Sequence, residues 1–138
     1  MNPIVSIIMG STSDLPVMEK AAKFLDEMEI PFEMNALSAH RTPVEVETFA
    51  REAKGRGVRV MLDGLDAMLS IIQMPPGIPV ATVGVNGALN AAILAAEMLA
   101  LSDEVLAAKL CAYKEGLKEK IVKANQELSE VKYRFKVD

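Results

Sequence analysis

The stretch that decides the fold is IVSIIMG, residues 4–10, close to the start of the chain. Its apolar residues are almost continuous instead of alternating, which is typical of a parallel β-strand covered on both faces. An amphipathic helical pattern follows at residues 17–28. A buried strand followed directly by a helix is the first half of a β-α-β unit, so this stretch predicts an α/β fold.

Strand and helix patterns alternate along the rest of the chain. A short helical pattern covers residues 65–72. We predict further strands at residues 32–37, 58–62 and 79–85, and helices that begin near Pro43, Ala88 and Asp103. Such alternation favours parallel strands joined by crossover helices. We therefore expect a single domain over residues 1–138, built as a three-layer α/β/α sandwich around a four-stranded parallel sheet.

The last predicted helix covers about residues 103–134 and carries an apolar stripe with the spacing of a packing seam. Because this seam is longer than one small sheet can cover, we expect it to pack on a neighbouring subunit of a homo-oligomer. Its one cysteine, Cys111, is expected to be a small buried residue. A single cysteine forms no intrachain disulfide, which favours the cytoplasm.

The composition argues against two classes of partner. The net charge is −4 without a block of basic residues, so binding of nucleic acid through its phosphates is not expected. The most apolar run, residues 88–101, is shorter than the roughly 20 residues that span a bilayer. We therefore predict no membrane segment.

The first polar turn is GSTSD, residues 10–14, between the first strand and the first helix. Glycine permits close approach to the backbone, the hydroxyls of Ser11 and Ser13 can donate hydrogen bonds, and a helix N-terminus attracts anions. Because a carboxylate repels phosphate, Asp14 is expected to bind a sugar hydroxyl. The turn lacks the lysine of a P-loop. A plain turn in which Ser13 or Asp14 caps the helix explains it equally well.

The second polar turn is LSAHRTP, residues 37–43, and it contains the only histidine of the chain, His40. Imidazole is suited to proton transfer near neutral pH, and Arg41 can clamp a phosphate. In open α/β sheets, ligands bind at such turns, at the carboxyl ends of strands. The alternative is that His40 is structural or merely exposed and that Arg41 is a solvated charge. Thr42 and Glu45 form a capping-box pattern.

Other catalytic patterns are missing from the sequence. No cluster of His, Cys and carboxylates has metal-ligand spacing, so we predict no metal. No G-x-S-x-G elbow supports hydrolysis by a serine nucleophile. A general phosphosugar enzyme that uses His40 as its base ranks below the interpretations that follow.

Three motifs together resemble those of one enzyme family. They are GSTSDLPVM at residues 10–18, SAHRTP at 38–43 and SIIQMPPGIPVATV at 70–83. They look like the 5-(carboxyamino)imidazole ribonucleotide mutases of purine biosynthesis and the related aminoimidazole ribonucleotide carboxylases. The resemblance covers nearly the whole chain, and its first two motifs are specific only in combination. It does not separate mutase from carboxylase.

The resemblance implies a flavodoxin-like sandwich that assembles as an octamer without a metal or an organic cofactor. The family's reaction moves a carboxylate from the exocyclic nitrogen of a ribonucleotide to C4 of its imidazole ring, by decarboxylation and recarboxylation in a closed pocket. Carried onto this sequence, the resemblance makes His40 the general acid/base at the ring carbon. It assigns phosphate and ribose to Ser11, Ser13 and Asp14, and phosphate to Ser38 and Arg41.

The chain departs from the family between Val60 and Leu62. There the family continues with a Gly-rich loop, a helix and a further strand, about one strand–helix repeat. We therefore expect four strands where the family has five, and no loop to cover the migrating carboxylate. Two interpretations follow: a mutase-type chain shortened by one repeat, or a non-catalytic or engineered scaffold that keeps only a ribonucleotide-binding corner.

Overall fold

The computed structural model describes residues 1–38, 40–64, 72–132, 134, 135 and 137. Within them, three strands form one parallel sheet: β1 (Val5–Met9), β2 (Phe32–Ala36) and β3 (Val60–Asp63). The helices are α1 (Leu15–Glu27), α2 (Pro43–Arg56), α3 (Ala88–Ala100) and α4 (Glu104–Glu130), and a 3-10 turn (Thr12–Asp14) precedes α1. The helical pattern predicted at 65–72 lies, for residues 65–71, outside the described part of the chain.

The sheet has the strand order β2-β1-β3, so β1 is central. Val5 of β1 lies opposite both Phe32 and Val60, and all strands are parallel. These are the first three positions of the flavodoxin-like strand order. Because β1 is central and parallel to both neighbours, its carboxyl end adjoins theirs.

One face of the sheet carries the hydrophobic core. Val5, Ile7 and Met9 of β1 are buried there, and Leu62 of β3 belongs to the same cluster. Helices α1 and α3 pack on this face and against each other. Their contact is built largely from small side chains, which let the helix axes approach closely. The buried alanines of these two helices are Ala21, Ala88, Ala92, Ala95 and Ala96.

Helix α2 is tied to the sheet by an ion pair. Side chains alternate along β2, so Phe32 packs against the core while Glu33 lies on the other face. Arg56, at the end of α2, donates a hydrogen bond to the Glu33 carboxylate across 3.2 Å. Its guanidinium also lies 4.3 Å from the centre of the Phe49 ring. This pair therefore connects α2 to the face opposite the core.

The fourth strand predicted at residues 79–85 is not confirmed. In the described chain these residues are largely exposed and form no strand ladder, and the sheet has three strands. A cleft separates the segment from β3, whereas paired strands lie about 4.8 Å apart. The segment ends in a tight turn, in which the Gly87 amide donates to the Gly84 carbonyl at 2.9 Å and Asn86 is left-handed with a φ of 59°.

Helix α4 is anchored only by its first half. Leu106 and Leu110 are buried, and the Tyr113 ring meets Phe24 edge-on at 5.1 Å. Cys111, expected to be buried, is exposed because it lies on the side of the helix away from this inner face. The helix ends at Glu130, before the predicted end near residue 134. Among the described residues, no helix is long and apolar enough to cross a membrane.

Gly87→Ala is expected to destabilise the protein, because a Cβ there would lie 2.6 Å from the Gly84 carbonyl oxygen. Relieving that overlap requires backbone shifts that cost on the order of 1–3 kcal/mol. Gly55→Ala in α2 is the matched control, because nothing lies within 4 Å of its Cβ. It should raise stability by about 0.5–1 kcal/mol. Urea unfolding measures both variants, and equal midpoints would contradict the prediction.

Lys109→Met is expected to raise the pKa of Glu29. The Lys109 ammonium donates a hydrogen bond to the Glu29 carboxylate and adds its positive charge, and together these lower the carboxyl pKa below its ordinary 4.5. A depressed folded-state pKa gives stability that is present above the unfolded value and lost as pH falls through the folded one. An NMR titration of the Glu29 carboxyl checks this, with Lys118→Met as the control. An unchanged Glu29 pKa in Lys109→Met would contradict it.

Candidate functional site

The turns after β1 and β2 lie side by side at one edge of the sheet. Met9 and Ala36 are paired at the ends of these strands, and the Leu37 amide extends the ladder by donating to the Met9 carbonyl at 2.9 Å. Neighbouring strands are about 4.8 Å apart. The hydroxyl-rich turn at 10–14 and the histidine turn at 37–42 therefore emerge within the span of one small ligand.

Hydroxyl groups shape the first turn. Ser11 caps the 3-10 turn, since its Oγ accepts a hydrogen bond from the Ser13 amide at 3.3 Å, and the two hydroxyls also contact each other. Asp14 occupies the N-cap of α1, one of the two positions predicted, but its side chain makes no capping hydrogen bond. The extended backbone of Ser11 starts a 3-10 turn before α1, which moves the cap toward the strand.

Asp14 lies where the ends of β1 and β3 meet. Its Oδ2 is buried and has no hydrogen-bond partner within the described structure. Gly64, directly after β3, adjoins this carboxylate, and a Cβ on Gly64 would lie 3.3 Å from Oδ2. A buried carboxylate oxygen without a partner is costly, and a ligand hydroxyl could supply the bond. Flavodoxin-like sheets bind their ligands in this β1/β3 crevice.

A cleft of about 350 Å³ opens beside Asp14, a volume within the range of small-molecule sites. Asp63 and Gly64 lie on one side, and Thr82 and Asn86 on the other, with the apolar side chains of α3 between them. Sequence reasoning missed these four residues as part of a site. The available signal was that Asp63-Gly64 directly follows a strand, which is where polar ligand-binding residues occur in α/β sheets.

Hydrogen bonds between Ser38 and Thr42 close the second turn. Thr42 Oγ1 accepts from the Ser38 amide and donates to the Ser38 carbonyl, both at 3.0 Å, and the Thr42 amide donates to that carbonyl at 2.7 Å. The Arg41 amide donates to Ser38 Oγ at 3.3 Å. Thr42 occupies the N-cap of α2 as the capping-box pattern predicts, but its hydroxyl bonds to Ser38 and not to the helix.

His40 and Arg41 lie at the tip of this turn, and both are exposed, whereas Ser38 is half-buried. Ala39, between Ser38 and His40, lies outside the described residues. An exposed imidazole can exchange protons with a ligand, and a guanidinium can bind phosphate through paired hydrogen bonds. In the part of the chain that the structure describes, no group of three or more His, Cys, Asp and Glu could hold a metal ion.

The predicted site residues thus fall into two groups on neighbouring turns. Ser11, Ser13 and Asp14 follow β1, and the other three, Ser38, His40 and Arg41, follow β2. Asp14 also borders the cleft beside β3, while His40 lies at the far strand of the sheet. A ligand that contacts both groups must extend across the end of β1.

Known proteins resemble this chain over most of its length. The AIR carboxylase family profile matches residues 4–63 and 60–120. The N5-carboxyaminoimidazole ribonucleotide mutase of Pyrococcus abyssi is 44% identical over 147 aligned positions, which cover 84% of each chain. The Methanocaldococcus jannaschii protein of the same name is 42% identical over 155 positions, covering 93% of this chain and 99% of its own. A crystal structure of Treponema denticola PurE matches with a TM-score of 0.74 at 27% identity, covering 91% of this chain and 98% of that chain.

Both relatives have residues for which this chain has no counterpart, because each alignment contains more positions than the 138 residues of this chain. The two matched segments of the family profile meet at residues 60–63, within β3. Identity above 40% over more than four fifths of the chain, together with the shared fold, indicates common ancestry. The chain therefore belongs to the AIR carboxylase family, an enzyme family of purine biosynthesis that includes the N5-carboxyaminoimidazole ribonucleotide mutases.

Proposed function

We propose that this chain binds N5-carboxyaminoimidazole ribonucleotide across its two polar turns and transfers the carboxylate from the exocyclic nitrogen to C4 of the imidazole ring. The observation that supports this most is the parallel pairing of β1 with β2, because it places the hydroxyl-rich turn beside the histidine turn. The names of the relatives supply the substrate class. The chemistry of the side chains in the two turns suggests the role of each residue.

The first turn would hold the ribose and the phosphate. Ser11 and Ser13 provide hydroxyls at the start of α1, where the helix dipole favours negative charge. Asp14 would accept a hydrogen bond from a ribose hydroxyl, which gives the buried Oδ2 the partner it lacks. Ser38 and Arg41 would bind phosphate oxygens from the second turn, since a guanidinium matches their geometry.

His40 would carry the proton during the transfer. As the C–N bond to the carboxylate breaks, carbon dioxide leaves and the exocyclic nitrogen takes a proton from the imidazolium. Ring carbon C4 then attacks the carbon dioxide, and the neutral imidazole removes the C4 proton, which restores the aromatic ring. One imidazole can serve both steps because the proton that it gives up in the first step is regained in the second.

We also propose that the fold is a three-layer α/β/α sandwich. The crossover from β1 to β2 and the crossover from β2 to β3 run in opposite directions across the sheet. Right-handed connections then place α1 and α2 on opposite faces. The ion pair of Arg56 with Glu33, on the face away from the core, supports this placement of α2.

We further propose that this chain forms a homo-oligomer, and we expect the octamer of the family. Leu117, Ile121 and Leu128 on α4 are exposed apolar residues. They continue the stripe that begins with the buried Leu106 and Leu110. A partner subunit that covered this stripe would remove its apolar surface from water.

A chain that binds the ribonucleotide without converting it is the second candidate. It is favoured by the two-segment match to the family profile and by the extra residues of the relatives. We expect the missing part to include the loop that encloses the substrate. A reaction through free carbon dioxide needs such an enclosure to keep that intermediate from escaping into water.

His40→Asn is expected to lower the rate of carboxylate transfer by about a hundredfold or more, because asparagine cannot take up and release a proton. Binding of aminoimidazole ribonucleotide, measured by calorimetry, should change little. Thr48→Asn, on the exposed part of α2, is the control and should leave both quantities unchanged. Full turnover in His40→Asn would refute the role of His40. Binding without turnover in the unsubstituted chain would favour the second candidate.

Gly64→Ala is expected to weaken ribonucleotide binding by roughly tenfold, about 1.4 kcal/mol. The new Cβ would lie 3.3 Å from Asp14 Oδ2 and displace the carboxylate from the ribose hydroxyl. Gly84→Ala, on the opposite side of the cleft, is the matched control because nothing lies within 4 Å of its Cβ. Calorimetric titration with aminoimidazole ribonucleotide measures both. Equal affinities in the two variants would exclude the proposed contact of Asp14.

A further inference from the structure

The sheet has an open edge at β3. In the described chain, β3 pairs with β1 on one side only, and the cleft runs along its other side. We call this cleft the β3 groove: it is lined by β3 and Gly64, by residues 79–87 and by the side of α3 that includes Leu94 and Met98. An open strand edge presents amides and carbonyls that readily pair with another extended segment.

The β3 groove is largely apolar and contains two acidic residues. Asp14 and Asp63 are the charged residues among its described lining. Side chains alternate along β3, so Val60 and Leu62 face the core and α3, whereas Met61 and Asp63 lie on the other face. A strand that fits beside β3 should therefore be apolar on one face and basic on the other.

The residues that follow α4 have this pattern. Residues 131–137, here called the C-terminal segment, read VKYRFKV, so four apolar residues alternate with three basic ones. An alternation with a period of two, in a segment rich in β-branched and aromatic residues, is typical of a strand. Val131 is already extended, with φ −77° and ψ 116°. Val131, Phe135 and Val137 are 40%, 85% and 90% exposed, so these three apolar side chains of the segment are largely uncovered.

We propose that the β3 groove receives the C-terminal segment of a second copy of this chain as an added β-strand. The apolar row of the segment would continue the row of Val60 and Leu62 over α3. Its basic row would lie on the face of Asp63, whose negative charge it complements. The added strand would also close the open side of the cleft beside Asp14.

The segment cannot fill the groove of its own chain. Every residue from Leu117 to Glu130 is exposed, so this part of α4 is roughly 20 Å of helix without a face on the body of the protein. Seven extended residues span roughly 23 Å. The segment would need its whole length to reach the body of its own chain again, and no residues would remain to pair along β3. A second copy has no such restriction.

Amide hydrogen exchange at Met61 tests the pairing. The Val60 amide donates to the Ile4 carbonyl at 3.3 Å and Val60 lies opposite Val5 in the ladder, so by alternation the Met61 amide faces the groove, where a docked strand would accept its hydrogen bond. The double variant Phe135→Glu, Val137→Glu removes two of the four residues of the apolar row without touching the core, because both residues are exposed. Val105→Glu, at a valine that is 70% exposed, is the control.

We expect Met61 to exchange roughly tenfold faster or more in the double variant than in the natural chain, and Val105→Glu to match the natural chain. Refolding the ¹⁵N-labelled double variant from urea together with unlabelled natural chain should restore protection, because the partner then supplies the segment.

Equal exchange in the natural chain and the double variant would overturn the proposal. Failure of the unlabelled chain to restore protection would overturn the assignment to a second copy. No substrate enters this readout, so its failure is separate from that of the proposed carboxylate transfer.

Discussion

The parallel pairing of β1 with both of its neighbours is the constraint on which the rest of the structure depends. It fixes the register of Val5 against Phe32 and Val60, and so brings three strand ends to one edge. The turn of Ser11 and the turn of His40 can adjoin only because their strands run in the same direction side by side. An antiparallel partner would have placed one of these turns at the opposite end of the sheet.

The same pairing explains why the crevice is polar and why the cleft lies beside Asp14. The ends of β1 and β3 bring the Asp14 carboxylate against Gly64, and the absence of a Cβ there leaves room for it. Beyond this point β3 has no further strand in the described chain, so the cleft lies directly beside the carboxylate. A buried oxygen without a partner costs stability, which the apolar packing of α1 and α3 on the core face offsets.

The second face of the sheet differs from the core face. Ser6 is fully buried there, and its hydroxyl, like the amide nitrogen of Asn35, has no hydrogen-bond partner within the described structure. Glu33 on the same face is neutralised by Arg56. Parallel sheets are more commonly apolar on both faces. Among the described residues, this face therefore combines the ion pair of Arg56 with the buried Ala53 of α2, and it is more polar than the core face.

Local features of the fold could be predicted from the sequence, and features that depend on distant contacts could not. The run at residues 4–10 and the two polar turns carry their own strand and turn signals, and the structure has β1 and both turns at these positions. The cap at Ser11 and the bonds of Thr42 to Ser38 were missed because several nearby hydroxyls can satisfy the same amides.

Three further differences have other physical causes. Residues 79–85 have the composition of a strand, yet a strand exists only where a partner lies about 4.8 Å away, and sequence alone does not supply that distance. The end of α4 was placed too late because Leu128, Val131 and Phe135 fit a helical stripe, while the alternation from Val131 onward has the period of a strand. The cleft residues Asp63 and Asn86 lie far apart in the sequence, on opposite sides of the cleft, and share no motif.

A crystal structure of this chain soaked with aminoimidazole ribonucleotide is the most direct test of the shared sheet edge as one binding site. We predict that the phosphate and ribose will contact the turn of Ser11 to Asp14, and that the imidazole ring will lie within hydrogen-bonding reach of His40. A ribonucleotide bound away from this edge, or with its ring turned away from His40, would contradict a single site formed by the two turns.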